Sequence, residues 1–192
     1  MNATLLNVPL SDETVQALED GWVRGDVELV PGRLRVFAVD RWTRWGAAFR
    51  FGLSTEGNWV TDTILTERTD DGWRELSSGG ARGSRWELPW KRPGHGQSLD
   101  LLWRGDPLLC LSTVHLVVYD ADEREHFLEA VCGFALPLVS AIRVEWDVET
   151  HDAPVAPPSH PFVALAAGTG AYTLTPLDAD TAPVGEPRRR WR

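Results

Sequence analysis

Any chemistry in this chain has to come from five histidines, two cysteines and a surplus of carboxylates. His95, His115, His126, His151 and His160 share no metal-ligand spacing, and His151-Asp152 becomes a ligand set only if the fold supplies distant partners. His115 lies among aliphatic residues and reads as a hydrogen-bonded core histidine. Gly79-Gly80 and Gly94-His95-Gly96 lack the strand, loop and helix that a phosphate cradle needs. No Gly-x-Ser-x-Gly elbow is present, and neither cysteine has a catalytic histidine arrangement. His95 with Asp100 is the remaining acid–base pair. Sequence therefore assigns no catalytic residue, no metal ligand and no cofactor.

Cys110 and Cys132 are too few for a disulfide framework and read as free buried thiols. A hairpin turning near Ala121 would nevertheless set them opposite one another, within disulfide range. A reducing compartment disfavours that bridge.

The chemistry of contact is better represented. Ten tryptophans and eighteen arginines stand against one lysine, Lys91. Guanidinium forks pair with carboxylates and stack on indoles, which ammonium groups do poorly. Between Ser77 and Gly96 glycine, proline and basic residues surround Trp86 and Trp90 with no periodicity, so Arg85, Trp86, Trp90, Lys91 and Arg92 are candidate partner-binding residues. The other candidates are Arg188, Arg189, Arg190, Trp191 and Arg192 in a basic tail over 178–192. Isolated, that tail lacks the apolar content to fold and reads as mobile. Net charge is −9, against a general nucleic-acid binder. Asp120–Asp152 carries −7, while Arg33–Arg104 carries +3. A tail docked on the acidic stretch, on its own body or a neighbour's, follows from that asymmetry.

The elements that must position these residues are mostly strands. Leu108–Tyr119 is the longest apolar run, with apolar residues on both faces, and reads as a strand covered on both sides and the most buried segment. Ser112-Thr113 marks a bend or bulge within it. Ser11-Asp12-Glu13 starts one helix with Val15, Leu18 and Trp22 on its stripe, stopped by Gly21 or Gly25. Val27–Val30 and Leu34–Val39 read as a hairpin around Pro31-Gly32, followed by strands at Trp45–Leu53, Trp59–Leu65 and Trp73–Leu76. Leu99–Trp103 re-enters the sheet. Residues 123–134 fit helix or strand, and the adjacent turn chemistry selects strand. Ala141–Val148 alternates cleanly, with Ile142, Val144 and Trp146 inward. Phe162–Leu165 and Ala171–Pro176 read as a last strand pair around Gly168-Thr169-Gly170.

This pattern predicts an all-β, mainly antiparallel sandwich or open barrel with one short N-terminal helix. Residues 1–177 form a single β-rich domain with a sub-boundary near 136–141. Residues Ile142–Ala179 resemble immunoglobulin-like modules, a resemblance that carries no activity. No apolar stretch approaches a membrane span, and the first residues lack a signal-peptide pattern, so the cytoplasm is the expected compartment and no membrane partner is expected. The expected function is that of a non-catalytic interaction or assembly protein, acting through the Trp/Arg-rich loop and the arginine tail on a protein partner or on itself. A carbohydrate or polar-ligand binding module using exposed indoles is the second reading. A hydrolytic enzyme is the third.

Overall fold

Ser11 caps α1 (Asp12–Asp20), its hydroxyl accepting the Thr14 amide at 3.3 Å, and Gly21 ends the helix at φ 68°, where a Cβ is penalised. The buried stripe is Thr14, Ala17 and Leu18; Val15 is half-buried. The computed structural model describes residues 10–83, 106–119, 125–146, 149–168 and 170–190. After α1 the described chain forms β1 (Arg33–Trp42), β2 (Trp45–Leu53), β3 (Trp59–Thr69), β4 (Gly72–Gly79) and β5 (Arg82–Gly83). There follow β6 (Leu108–Tyr119), β7 (Glu125–Ala135), β8 (Ala141–Trp146) and β9 (Glu149–Pro154). The last strands are β10 (Pro161–Gly168), β11 (Tyr172–Leu177) and β12 (Arg188–Arg190). Strand accounts for 64% of the described residues against one nine-residue helix among them, which makes the class all-β, and the paired strands run antiparallel.

Three sheets are stacked. The first has order β1-β2-β3-β4, with β5 added to β3; the second is β10-β7-β6; the third is β12-β11-β8-β9. Phe37, Phe49 and Phe51 of the first sheet meet Leu128, Phe134 and Leu165 of the second in one core. Phe162, Ala164 and Val131 on the opposite face of the second sheet meet Ile142, Val144 and Leu174 of the third in another. The second sheet is thus the central layer. Its strands β7 and β10 carry apolar residues at both parities because both faces are covered. Helix α1 lays Ala17 and Leu18 on the outer face of the first sheet, over Val36, Val39 and Ala48.

Several expectations are corrected here. Strand β6 is not the doubly covered centre. Among the described residues it pairs with β7 alone, and beyond the buried Val114 it alternates between exposed and half-buried positions. The most buried strand is β2, in which every residue but Arg50 is buried, and β7 and β10 inside the stack are also more buried than β6. Val27–Val30 is not a strand, and the first hairpin is β1–β2. Phe162–Leu165 and Ala171–Pro176 do not pair with each other: β10 joins β7 in the central sheet and β11 joins β8 in the outer one. Part of the Ser77–Gly96 stretch is strand, as the ends of β4 and as β5. Leu99–Trp103 lies outside the described residues. Residues 125–135 are strand, as the turn chemistry required.

Candidate interaction surface

Strands β6 and β7 are joined by Asp120–Arg124 and are in register from Tyr119↔Glu125 down to Leu108↔Ala135, with one shift between Cys110 and Ser112. That shift is a bulge at Leu111, next to the expected position. Beside it Gly133 is required by close approach: a Cβ there would sit 1.9 Å from the Leu109 carbonyl oxygen. A bulge inserts one residue and so exchanges the two faces of the strand. Before it, Leu108 and Cys110 face the outer sheet; after it, Val114, Leu116 and Val118 pack toward the first sheet instead. Thr113, His115, Val117 and Tyr119 are thereby placed on the outer-sheet side.

Among the described residues the outer sheet does not cover all of them. Its strand β12 places Arg190 beside Thr113 and Glu129. From there the hairpin presents the opposed pairs His115↔Glu129, Val117↔Phe127 and Tyr119↔Glu125. His115 stacks on Phe127 with ring centres 5.8 Å apart at 23°. Val117 is 41% exposed and Tyr119 64%, while Thr113, His115, Glu125, Phe127, Glu129 and Arg190 border a groove of about 500 Å³ with Val117. His115 is therefore an exposed aromatic shelf, not a core histidine, because the bulge re-aims it. The arrangement can hold an apolar or aromatic side chain on the shelf and a cation beside the carboxylates.

The arginine tail closes one end of this groove. Strand β12 pairs with β11 at Tyr172↔Arg190, Thr173↔Arg189 and Leu174↔Arg188. Arg188 donates to the Leu108 carbonyl at 2.7 Å and to the Cys110 sulfur at 3.1 Å, and it pairs with Asp106. Burial lowers its pKa from the ordinary guanidinium value, with Arg190 adding to the effect. Arg190 donates to Glu129 through Nε at 3.3 Å and Nη2 at 3.2 Å, and Nη2 also reaches Thr113 at 3.1 Å. Burial works against the Arg190 charge, but Tyr172, Glu129 and Cys110 outweigh it, so its pKa is raised. Burial, reinforced by Glu129, also pushes the buried Tyr172 phenol upward. Arg189, between them, is exposed and borders a shallow hollow on the outer face with Glu145 and Thr173. Arg188–Arg190 thus form a sheet edge fastened to the chain's own acidic stretch through Glu129.

A second polar cluster joins all three sheets. Asp40 of β1, 5% exposed, accepts from His151 Nε2 at 2.7 Å and from the Leu165 amide at 2.8 Å through Oδ2, and from the Arg41 amide at 2.9 Å through Oδ1. A carboxylate can only accept, so Nε2 carries the hydrogen, and Nδ1 has no partner among the described residues. The imidazole stacks on Trp42 and stands edge-on to Trp146, and Trp42 Nε1 donates to Glu149 at 3.0 Å. His151 and Asp152 point to opposite faces of β9: Asp152 pairs outward with Arg143, so the two are not a joint ligand set. Among the described residues no group of three or more histidine, cysteine or acidic side chains is arranged to hold a metal ion.

Both cysteines are free. The bulge separates them: Cys110 faces the outer sheet, while Cys132 faces the first, bonded to Thr63 Oγ1 at 2.8 Å and Ser112 Oγ at 3.2 Å. Burial pushes both thiols up to about 11, so neither is an activated nucleophile.

Arg188, Arg189 and Arg190 are the sequence-selected site residues that fall within the described chain. Arg85, Trp86, Trp90, Lys91, Arg92, Trp191, Arg192, His95, Asp100 and Trp103 lie outside it. The described indoles are engaged internally: Trp59 stacks on Phe51, Trp42 meets Trp146, and Arg24, Arg44 and Arg68 lie over Trp22, Trp45 and Trp73. Sequence reading missed the open hairpin end and the Asp40–His151 pair. The signals were the alternation restored after Ser112 and one carboxylate in an apolar strand. No helix among the described residues is long and apolar enough to cross a membrane. Comparison with protein-family models, curated proteins and solved structures finds no match to this chain.

Proposed function

We propose that this chain is a non-catalytic assembly protein in which the open end of the β6–β7 hairpin packs on a second copy. One observation carries the reading. Among the described residues β12 covers the outer-sheet side of β6–β7 only in part, and Val117 and Tyr119 are exposed next to the His115–Phe127 stack, with Glu125 and Glu129 at the rim. Apolar and aromatic groups on a sheet face usually face another layer, and contact sites are rich in such anchors. A second copy is the favoured occupant because the chain itself supplies both charge signs in separate stretches.

The reading is tested by sedimentation velocity over a concentration series at low and high salt. Association that weakens with salt is expected, and Val117→Asp/Tyr119→Ser is expected to abolish it at an unchanged melting temperature. A parent chain that stays monomeric under every condition overturns the reading. So does a variant that associates like the parent.

A further inference from the structure

Strand β12 is fastened in a different way from the rest of the stack. Its side chains are Arg188, Arg189 and Arg190, so it brings no apolar side chain to a core. It holds to β11 by three paired positions, and to the central sheet by polar contacts of the two arginines that share its inner face. Arg188 meets Asp106, the Leu108 carbonyl and the Cys110 sulfur; Arg190 meets Thr113 and Glu129. The two ion pairs are partly open to solvent, so salt screens them, as it does not screen apolar burial. The neighbouring guanidiniums also repel each other, one reason the Arg188 pKa is lowered. Elements with few buried apolar contacts open locally, at a free energy below that of global unfolding.

The chain just before β12 is held more firmly. Val184 packs on the second core, its amide donates to the Pro176 carbonyl at 2.8 Å, and Pro183 bridges to Leu177. Between this anchor and the strand, Gly185, Glu186 and Pro187 are exposed, with Gly185 at φ 77°. We propose that β12 is a strap fastened by charge, which swings off β11 about residues 185–187 as one unit while the three sheets stay folded. Opening lifts the Arg188 guanidinium from the Cys110 sulfur and removes Arg190 from the wall of the β6–β7 groove. The closed strap therefore sets the shape and charge at that end of the groove. This is a property of one copy and stands apart from the assembly reading.

The two native thiols report the motion in the intact chain. Cys110 lies beneath Arg188, whereas Cys132 is fully buried toward the first sheet. Both thiols are pushed up to about 11, so at one pH a difference in alkylation rate reports access and not acidity. Mass spectrometry of the alkylated chain gives the two rates separately. Cys110 is expected to react at least ~10-fold faster than Cys132, and faster still as salt is raised. Arg190→Glu sets two carboxylates together at the end of the strap away from Cys110 and leaves Arg188 in place. It is expected to speed Cys110 at least ~10-fold, with Cys110 still ahead of Cys132. A lock makes the same test without weakening the fold: Thr173→Cys/Arg189→Cys, at an opposed pair of β11 and β12, is expected when oxidised to slow Cys110 at least ~10-fold relative to its reduced form. Equal rates for the two thiols in the parent would show that Cys110 is reached only by global unfolding, and the strap is refuted. A Cys110 rate unchanged by Arg190→Glu, or by the oxidised lock, would show that the thiol is reached without movement of β12 and refutes it equally.

Discussion

Removing the Arg190 guanidinium should loosen the outer sheet from the central one. Arg190→Ala takes away both N–H donors to Glu129 and the one to Thr113. Glu129 stays in place, 8% exposed, beside the buried Tyr172 ring. Breaking a fully buried pair in this way costs about 3–5 kcal/mol, and losing a fully exposed one about 0–1 kcal/mol. Here the side chains are 33% and 11% exposed, so solvent screens the arginine but scarcely reaches the carboxylate. The expected loss is about 2 kcal/mol, or roughly 4–8 °C in melting temperature for a chain of this size. Urea unfolding followed by tryptophan fluorescence measures it. Adding Glu129→Gln to Arg190→Ala should recover about half, since a neutral amide is less costly to leave without a cation. The neighbouring Arg189→Ala, on the outer face, should cost under about 1 kcal/mol. Equal stability of Arg190→Ala and the parent would show that the last strand contributes nothing and that the arginines are merely solvated.

The two thiols make stability fall with alkaline pH. Each is raised from 9.0 to about 11 by burial, so between those values the unfolded chain loses protons that the folded chain retains, and stability declines as pH rises. Denaturation midpoints at pH 7.5 and 10.5 should show this, and Cys110→Ala/Cys132→Ala should flatten the slope. Asp40→Ala should be more damaging than Arg190→Ala, at about 3–5 kcal/mol, because the His151 Nε2–H and the Leu165 amide both lose their acceptor in a buried setting. Asp40→Asn retains an oxygen acceptor and should lose less. Thermal melts of the two variants side by side decide it.

Local signals in the sequence determined the elements. Ser11 and Gly21 set the ends of α1, because capping is decided by the residues at the ends. Alternation set β2, β3 and β8, and the turn chemistry near Asp120 made 125–135 a strand. The bulge near Ser112 was legible because an unbroken run from Leu108 to Tyr119 is longer than one strand usually runs.

Which face each strand buries, and against what, was decided only by tertiary structure. Apolar residues at both parities of 108–119 read as double coverage throughout, but past the bulge the face that carries His115, Val117 and Tyr119 is left exposed. That single inserted residue separates Cys110 from Cys132 and turns His115 outward onto Phe127. The placement of β10 and β11 in different sheets was hidden for a related reason. Their spacing is that of a hairpin, and pairing across layers depends on which partner strand has an open edge. The same holds for Asp40 and His151, which are separated by 111 residues and meet only where three sheets converge. Arg188 and Arg190 look like solvated charge in a sequence. They become part of a sheet because β11 offers them backbone partners and Glu129 lies within reach, and neither condition can be read from the last five residues.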